Sequence, residues 1–355
     1  MPRRILLLIT DLQIGGTPTV VRELATRLRV PGEVEVTVAC IAGWGPVADQ
    51  LRDAGVAVEA LGAVSIADLP KTLVRLIRFI RREHFDTVFS FLIHANAIAA
   101  AASLFCPAVR FLQSIQTTQP RPRWHWALQR LIHAAAERVV VPSPSAANVA
   151  RRWSGVPAEK LVVIPNAVDV AAFGEVGQDR STAGRLLRIG FLGRLDPIKR
   201  VPRLVEAMQH LPAAELHIFG EGPDRPHIEA AIAMQQLSNR VTLHGAVARP
   251  QIALAAIDVL VLPSAAEGFG LVLIEAMAAD VPVVAADVPG IRDVVRDGVT
   301  GILCGDASPT QIAVAVLAAT QPDRRQSLIA AALRDVANRF SWDAVLRAYQ
   351  RLLGL

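Results

Sequence analysis

Cysteine is scarce in this chain. Cys40, Cys106 and Cys304 are the three in 355 residues, and they stand far apart. Neither a disulfide framework nor a zinc site fits that number and spacing, and a reducing, cytoplasmic compartment is the natural reading. Aromatic residues are only 5% of the total, so Ala, Val and Leu must fill the interior. No G-x-G-x-x-G run follows the first apolar strand, which removes support for a dinucleotide-dependent oxidoreductase. His84, His125, His133, His210, His217, His227 and His244 show no metal-ligand spacing. No nucleic-acid recognition motif is present. Acidic and basic residues are absent from Thr87 to Val109, a length that could nominally span a bilayer. That stretch holds Ser90, His94, Asn96, Ser103 and Pro107, so strand, polar turn and Ala-rich helix is the better reading. The basic, apolar start MPRRILLLIT stops at Asp11 with no small-residue cleavage site after it, and reads as a buried first strand.

What is present is ample apolar material, 52% of residues, in a chain long enough for two domains. Short β-branched runs alternate with helical ones throughout. RILLLIT, EVTVAC, VAVEAL, TVFSFL, RVVVPS and LVVIPN read as strands of the first half. RIGFLG, ELHIFG, VTLHG, VLVLPS, PVVAAD and GILC read as strands of the second. Strands alternating with helices imply parallel sheets, and two successive sets imply two Rossmann-like α/β domains. The boundaries expected are residues 1–168, a polar, Gly-rich linker at 169–186, and residues 187–340. The amphipathic helix at 341–355 closes the chain.

Charge divides unevenly. Residues 1–165 hold 19 Lys and Arg against 12 Asp and Glu, while the remainder hold 18 against 20. Part of the excess lies at 71–85, where Lys71, Arg75, Arg78, Arg81 and Arg82 accompany an apolar stripe. A second basic and aromatic cluster runs from Arg121 through Arg123, Trp124, His125 and Trp126 to Arg130. The helix at 71–85 reads either as a surface helix packed on its own sheet or as a peripheral contact with an anionic membrane.

The densest chemistry is in SAAEGFGLVLIEAMAADVPVVAADVPG (264–290). Glu267 and Glu275 bracket a Gly268-Phe269-Gly270 turn, and Leu271, Ile274 and Ala278 give helical spacing behind it. Glycines before a helix expose backbone N–H groups at its positive end, which suits a diphosphate. A carboxylate there accepts hydrogen bonds from sugar hydroxyls, and Glu275 in an otherwise apolar row needs partners if it is buried. Arg194 and Lys199 follow the strand RIGFLG, where strand ends of open α/β sheets form a binding crevice. Gly15-Gly16 stands in the corresponding turn of the first half, where glycine allows a close backbone approach.

On Glu267-Gly268-Phe269-Gly270 followed by Glu275, the chain resembles the family-4 retaining glycosyltransferases with their E-x-F/Y-G-x4-E signature. Supporting marks fall in the family's order: Gly15-Gly16, His94, Ile164-Pro165-Asn166, Gly193-Arg194-Leu195 with Lys199, Phe219 to Pro223, and Pro289-Gly290 with Asp293. The resemblance implies the GT-B fold, two Rossmann-like domains facing across a cleft, with the last helix returning to the N-terminal, acceptor-binding domain. It implies that Arg194 and Lys199 act on the diphosphate of a nucleotide sugar. Glu275 would hold the ribose, Glu267 the donor sugar, and the backbone of Gly268, Phe269, Gly270 and Leu271 the sugar and phosphate. Gly15 and Gly16 would meet the donor, as would Glu221, and His94 would act near the acceptor or the donor sugar. Ser143 and Asn166 match positions lining the family's cleft and hinge. Asn166-Ala167, Pro289-Gly290 and Asp293 depart from the family's usual Asn-Gly, Gly-Gly and Glu.

The expected reaction transfers a sugar from a nucleotide-diphosphate donor, UDP preferred, to a hydroxyl acceptor with an α-linked product. It needs no cofactor and no metal. Two alternatives are a nucleotide-sugar epimerase of the same fold and a non-catalytic nucleotide-sugar-binding protein.

Overall fold

A computed structural model describes residues 2–174 and 185–355. Two compact units emerge from it, residues up to Pro165 together with Val345–Leu355, and Asn166–Ala344. The linker expected at 169–186 begins as a short helix, Val170–Gly174, with Phe173 buried, and its residues 175–184 lie outside the described residues.

The first unit carries seven strands: β1 Arg3–Ile9, β2 Val34–Cys40, β3 Ala57–Ala60, β4 Thr87–Phe91, β5 Arg110–Ser114, β6 Arg138–Val141 and β7 Leu161–Val163. They form one sheet in the order β3-β2-β1-β4-β5-β6-β7, and every pairing is parallel. Leu6, Leu7 and Leu8 are fully buried in succession, as a central strand covered by helices on both faces requires. Strand β5 was not expected from the sequence. Its Gln113 and Ser114 are buried polar residues that disguise the apolar run. The final helix, Trp342–Leu353, belongs to this unit from Val345 onward. Tyr349 packs near Phe89, and Arg110 donates to the Leu352 and Leu353 carbonyls.

The second unit carries β8 Leu187–Leu192, β9 Ala214–Phe219, β10 Val241–Gly245, β11 Val259–Leu262, β12 Val283–Ala285 and β13 Ile302–Leu303. Their order is β10-β9-β8-β11-β12-β13, again all parallel. These strands are the six that the sequence suggests for this half. The sheet is anchored at its lower end by Asp258, fully buried, which accepts two hydrogen bonds from Arg185 and others from Arg188.

In both sheets the chain reverses its direction of winding at the first strand, between β1 and β4 and between β8 and β11. Loops leaving opposite ways at such a point open a crevice at the strand C-termini. Among the described residues no helix is long and apolar enough to cross a membrane. Of the 71–85 segment, the helix Leu69–Glu83 takes all but the last two residues, ending at a left-handed His84. It buries Thr72, Leu76, Phe79 and Ile80 while exposing Lys71, Arg75, Arg78, Arg81 and Arg82.

Candidate active site

The second sheet's crevice is built by loops that lock onto one another. After β8, Gly193 donates to the Phe219 carbonyl and Leu195 to that of Glu221, while Asp224 donates back to Leu195. A Cβ at Gly220 would collide with the Gly193 carbonyl, and one at Gly222 with the carbonyl of Leu195. The two glycines of Gly220-Glu221-Gly222-Pro223 are therefore what let this loop press on the segment carrying Arg194. The Arg194 side chain is exposed.

Lys199 ends the short 3-10 turn Pro197–Lys199, capped by Asp196, whose carboxylate accepts from the Ile198 N–H at 3.2 Å. The loop after β11 is stitched to this turn by the Ala265 N–H, 2.8 Å from the Ile198 carbonyl. That stitch brings Lys199 Nζ to 2.5 Å from Glu267 Oε1, a pair whose side chains are 20% and 10% exposed. The Ser264 hydroxyl, wholly buried, donates to the same carboxylate oxygen at 2.7 Å. Gly290 closes the arrangement from behind, because a Cβ there would collide with the Glu267 carbonyl.

The helix Leu271–Ala278 starts at Gly270, which has φ 81° and ψ 60°. This left-handed start favours glycine, and a side chain there would also crowd Leu273. Leu271 is half-buried in the first turn. Glu275 lies on the next turn and is only 8% exposed. Gly268 is buried, and the Phe269 ring turns into the core against Phe340, so only the backbone of these residues faces the loop chemistry. Glu221 goes elsewhere: its carboxylate is half-exposed and pairs with Arg225 at 2.5 Å. The structure thus gathers Lys199, Glu267 and Ser264 directly, and ties Arg194 to them through shared loops. Ser264 was not singled out from the sequence. Its signal is a hydroxyl residue at the end of the buried strand VLVL, three residues before Glu267.

In the first unit, β1 and β4 run side by side with Ile9 opposite Phe91. Gly15 and Gly16 open the helix Gly16–Leu28 in the loop after β1, and both are exposed. Gly15 is extended, with φ 175°, and a Cβ there would meet nothing closer than Pro18 at 3.6 Å. The loop after β4 begins at Leu92, with φ 73° and ψ 155°, a region that costs a branched residue strain of roughly 1–3 kcal/mol. His94 follows in the first turn of the helix Ile93–Ser103 and is exposed. Its ring lies 5.7 Å from that of Trp124, which in turn lies 4.0 Å from His125. Burial holds the His125 imidazole below its ordinary pKa, and His94 adds to the effect.

Beneath these rings runs a buried amide network that the sequence did not reveal. The Ser90 hydroxyl donates to Asn96 Oδ1 at 2.8 Å, and Asn96 Nδ2 donates to the Ser114 carbonyl and to Gln129. Gln129 donates to Gln113 at 2.7 Å. Ser143 is buried and caps the helix Pro144–Ser154. Asn166 is buried, and neither it nor Ala167 takes a positive φ, so no left-handed turn is needed there. Among the described residues no group of three His, Cys, Asp or Glu is placed to hold a metal ion.

The sequence pattern described as Glycosyltransferase Family 4 matches residues 14–172, and that described as Glycosyl transferases group 1 matches 187–321. A D-inositol 3-phosphate glycosyltransferase of Xylanimonas cellulosilytica is 32% identical over 247 residues, 64% of this chain and 59% of that protein. An alpha-maltose-1-phosphate synthase of Mycolicibacterium smegmatis is 32% identical over 61% of this chain and 62% of its own length. The chain thus spans less than two thirds of the length of these relatives. The fold matches that of Anabaena HepE, solved in complex with UDP-glucose, with a TM-score of 0.88 at 21% identity over 99% of this chain and 100% of that one. It also matches a sucrose-phosphate synthase of Thermosynechococcus elongatus, with a TM-score of 0.81 at 20% identity over 99% of this chain and 100% of that one. With both halves matched in order and the two parallel sheets those of the GT-B fold, the chain belongs to the glycosyltransferases of family 4 and group 1.

Proposed function

We propose that the protein transfers a sugar from a nucleotide-diphosphate donor, UDP-linked by preference, to a hydroxyl acceptor with retention at the anomeric carbon. The observation that carries this reading is the Lys199–Glu267 pair at the switch point of the second sheet, beside the exposed Arg194. An ammonium held by a carboxylate is a charge waiting for a diphosphate to compete for it. The binding of UDP-glucose by HepE and the phosphorylated products or acceptors in the relatives' names support the same class of chemistry.

On this reading Arg194 and Lys199 take up the charge that grows on the phosphate as the anomeric carbon–oxygen bond breaks. Glu267, released from Lys199, accepts hydrogen bonds from the donor sugar, and Glu275 accepts them from the ribose. The acceptor oxygen bonds to the anomeric carbon on the face the phosphate leaves, and its proton passes to the departing phosphate oxygen. Neither a metal nor a cofactor enters these steps. Gly15 and Gly16, with bare backbone after β1, and His94, after β4, are the first unit's part in this reading.

Thermal stabilisation by UDP-, GDP- and ADP-sugars tests the donor assignment. One nucleotide series is expected to raise the melting temperature, and Arg194→Ala and Glu275→Ala to abolish the rise. No rise with any of them in folded protein would leave a non-catalytic role. Donor consumption with an inverted sugar and no acceptor would instead indicate an epimerase. A peripheral membrane contact is a further part of the reading. Leu104 and Phe105, 80% and 51% exposed, stand beside Arg81, which donates to the Phe105 carbonyl at 2.6 Å. Co-sedimentation with anionic but not neutral vesicles, lost in Arg78→Glu/Arg81→Glu, is the expected result.

A further inference from the structure

The donor reading leaves the exposed Trp124 ring of the first unit unused. Trp124 opens the helix Trp124–Ile132 and is 47% exposed, although two residues later Trp126 is buried. The Trp126 indole N–H donates to the Gln119 carbonyl at 3.0 Å and so pins the loop that leads to Trp124. From the other side, Gln129 ties the same helix through Asn96 to the helix that bears His94. Trp124 is therefore a fixed platform, with the His94 ring 5.7 Å away. One and three residues before it, Arg123 and Arg121 are exposed, and neither guanidinium has a hydrogen-bond or ion-pair partner among the described residues.

These parts suit one kind of ligand. A rigid indole face offers a large contact area at little entropic cost, and matches the C–H face of a six-membered sugar or cyclitol ring. Free guanidinium groups match a phosphate or a carboxylate. The strained backbone at Leu92, just before His94, marks the same end of the sheet as a place where the fold gives way to function.

We infer that Trp124, with Arg121 and Arg123, forms the acceptor subsite, and that the acceptor is an anionic sugar ring stacked on Trp124 with its charge on the two arginines. This rests on the glycosyltransferase reading above. It adds a specificity-determining residue and a substrate class that the reading leaves open.

Ligand-observed saturation-transfer NMR on the full chain tests the inference. The probes are glucose 6-phosphate, glucuronate, glucose and inorganic phosphate. The anionic sugars are expected to bind roughly tenfold more tightly than glucose or phosphate. Trp124→Ala is expected to weaken them by about tenfold, whereas Trp124→Phe keeps most of the affinity. Arg121→Ala/Arg123→Ala should bring glucose 6-phosphate down to the level of glucose. Affinity unchanged in Trp124→Ala, phosphate bound as tightly as its sugar ester, or no probe bound by the wild type would each overturn the inference. Thermal stabilisation by UDP on the same samples separates the two readings. UDP stabilisation that survives in every variant leaves the donor reading standing when the acceptor subsite fails, and its absence from the wild type sinks the donor reading itself.

Discussion

Removing the Lys199 charge while keeping its bulk, in Lys199→Met, sets stability and catalysis against each other in one side chain. The Nζ–Oε1 separation of 2.5 Å gives a gross attraction of roughly 6–7 kcal/mol at an effective dielectric constant of about 20. Most of that offsets the cost of drawing both groups out of water. Breaking a fully buried pair by removing one partner costs ~3–5 kcal/mol. Here the side chains retain 20% and 10% of their exposure, and Ser264 still donates to Glu267, so about 2–3 kcal/mol is the expected loss. In a domain of this size that lowers the melting temperature by roughly 5–10 °C. Lys199→Met/Glu267→Gln removes the stranded carboxylate charge and should recover most of the loss. Turnover should behave differently: both variants lose the cation proposed to serve the diphosphate, a loss expected to cost about 10²–10³ in kcat. Calorimetry and UDP release, measured on the wild type and on Lys199→Met, Glu267→Gln and the double variant, read both quantities. A single variant that melts within a degree of wild type and turns over within about threefold of it would refute the reasoning, because the pair would then be neither structural nor catalytic.

Other expectations follow from neighbouring features. Asp258 is held down to about 2: burial raises its pKa, but the hydrogen bonds from Arg185 and Arg188 outweigh that. A carboxylate with a depressed pKa stabilises the fold above its ordinary value and loses that contribution as pH falls through the folded one. Acid unfolding between about pH 4 and 2 should therefore carry about 2 kcal/mol that Asp258→Asn lacks, as urea titrations across that window would show. Gly290→Ala forces a methyl onto the Glu267 carbonyl, and should cost ~1–3 kcal/mol and sharply weaken donor binding, both read by melts with and without UDP-sugar. Gly15→Ala, in extended backbone with open space around it, should leave stability unchanged or raise it by up to about 1 kcal/mol. Its donor affinity should nevertheless fall, and a calorimetric titration finding no change would remove Gly15 from the site.

The parts of this molecule legible in the sequence are those where neighbours in the chain decide the outcome. Twelve strands announced themselves as short apolar runs, and a central one such as β11 is continuous in apolar residues because it is buried on both faces. β5 did not, since Arg110-Phe111-Leu112-Gln113-Ser114 places two polar residues in the interior. Gln113 is tolerated because it donates to the Ile132 carbonyl and accepts from Gln129, and the Ser114 hydroxyl because it accepts from Gln116. The same limit applies at the site. Glu267, Gly270 and Glu275 are recognisable from local spacing, but the contact between Lys199 and Glu267 joins residues 68 apart in the chain. Glu221 shows the converse. Its loop was legible, yet its carboxylate is taken by Arg225 four residues on, so in this structure the glycines on either side do the positioning.

Glycines separate scaffold from ligand site more sharply than the charged residues do. At Gly220, Gly222 and Gly290 the fold itself forbids a side chain, because each glycine faces the backbone of another loop in the second unit's crevice. Those positions would stay glycine whether or not a ligand ever bound, and their presence says only that the loops are tightly joined. Gly15 obeys no such demand: its φ is one that any residue adopts, and its surroundings would take a methyl group. A folded protein gains by filling such a position, since alanine restricts the unfolded chain. Folding therefore does not demand the bare backbone at that point, and the proposed donor contact with the turn after β1 is the demand that would.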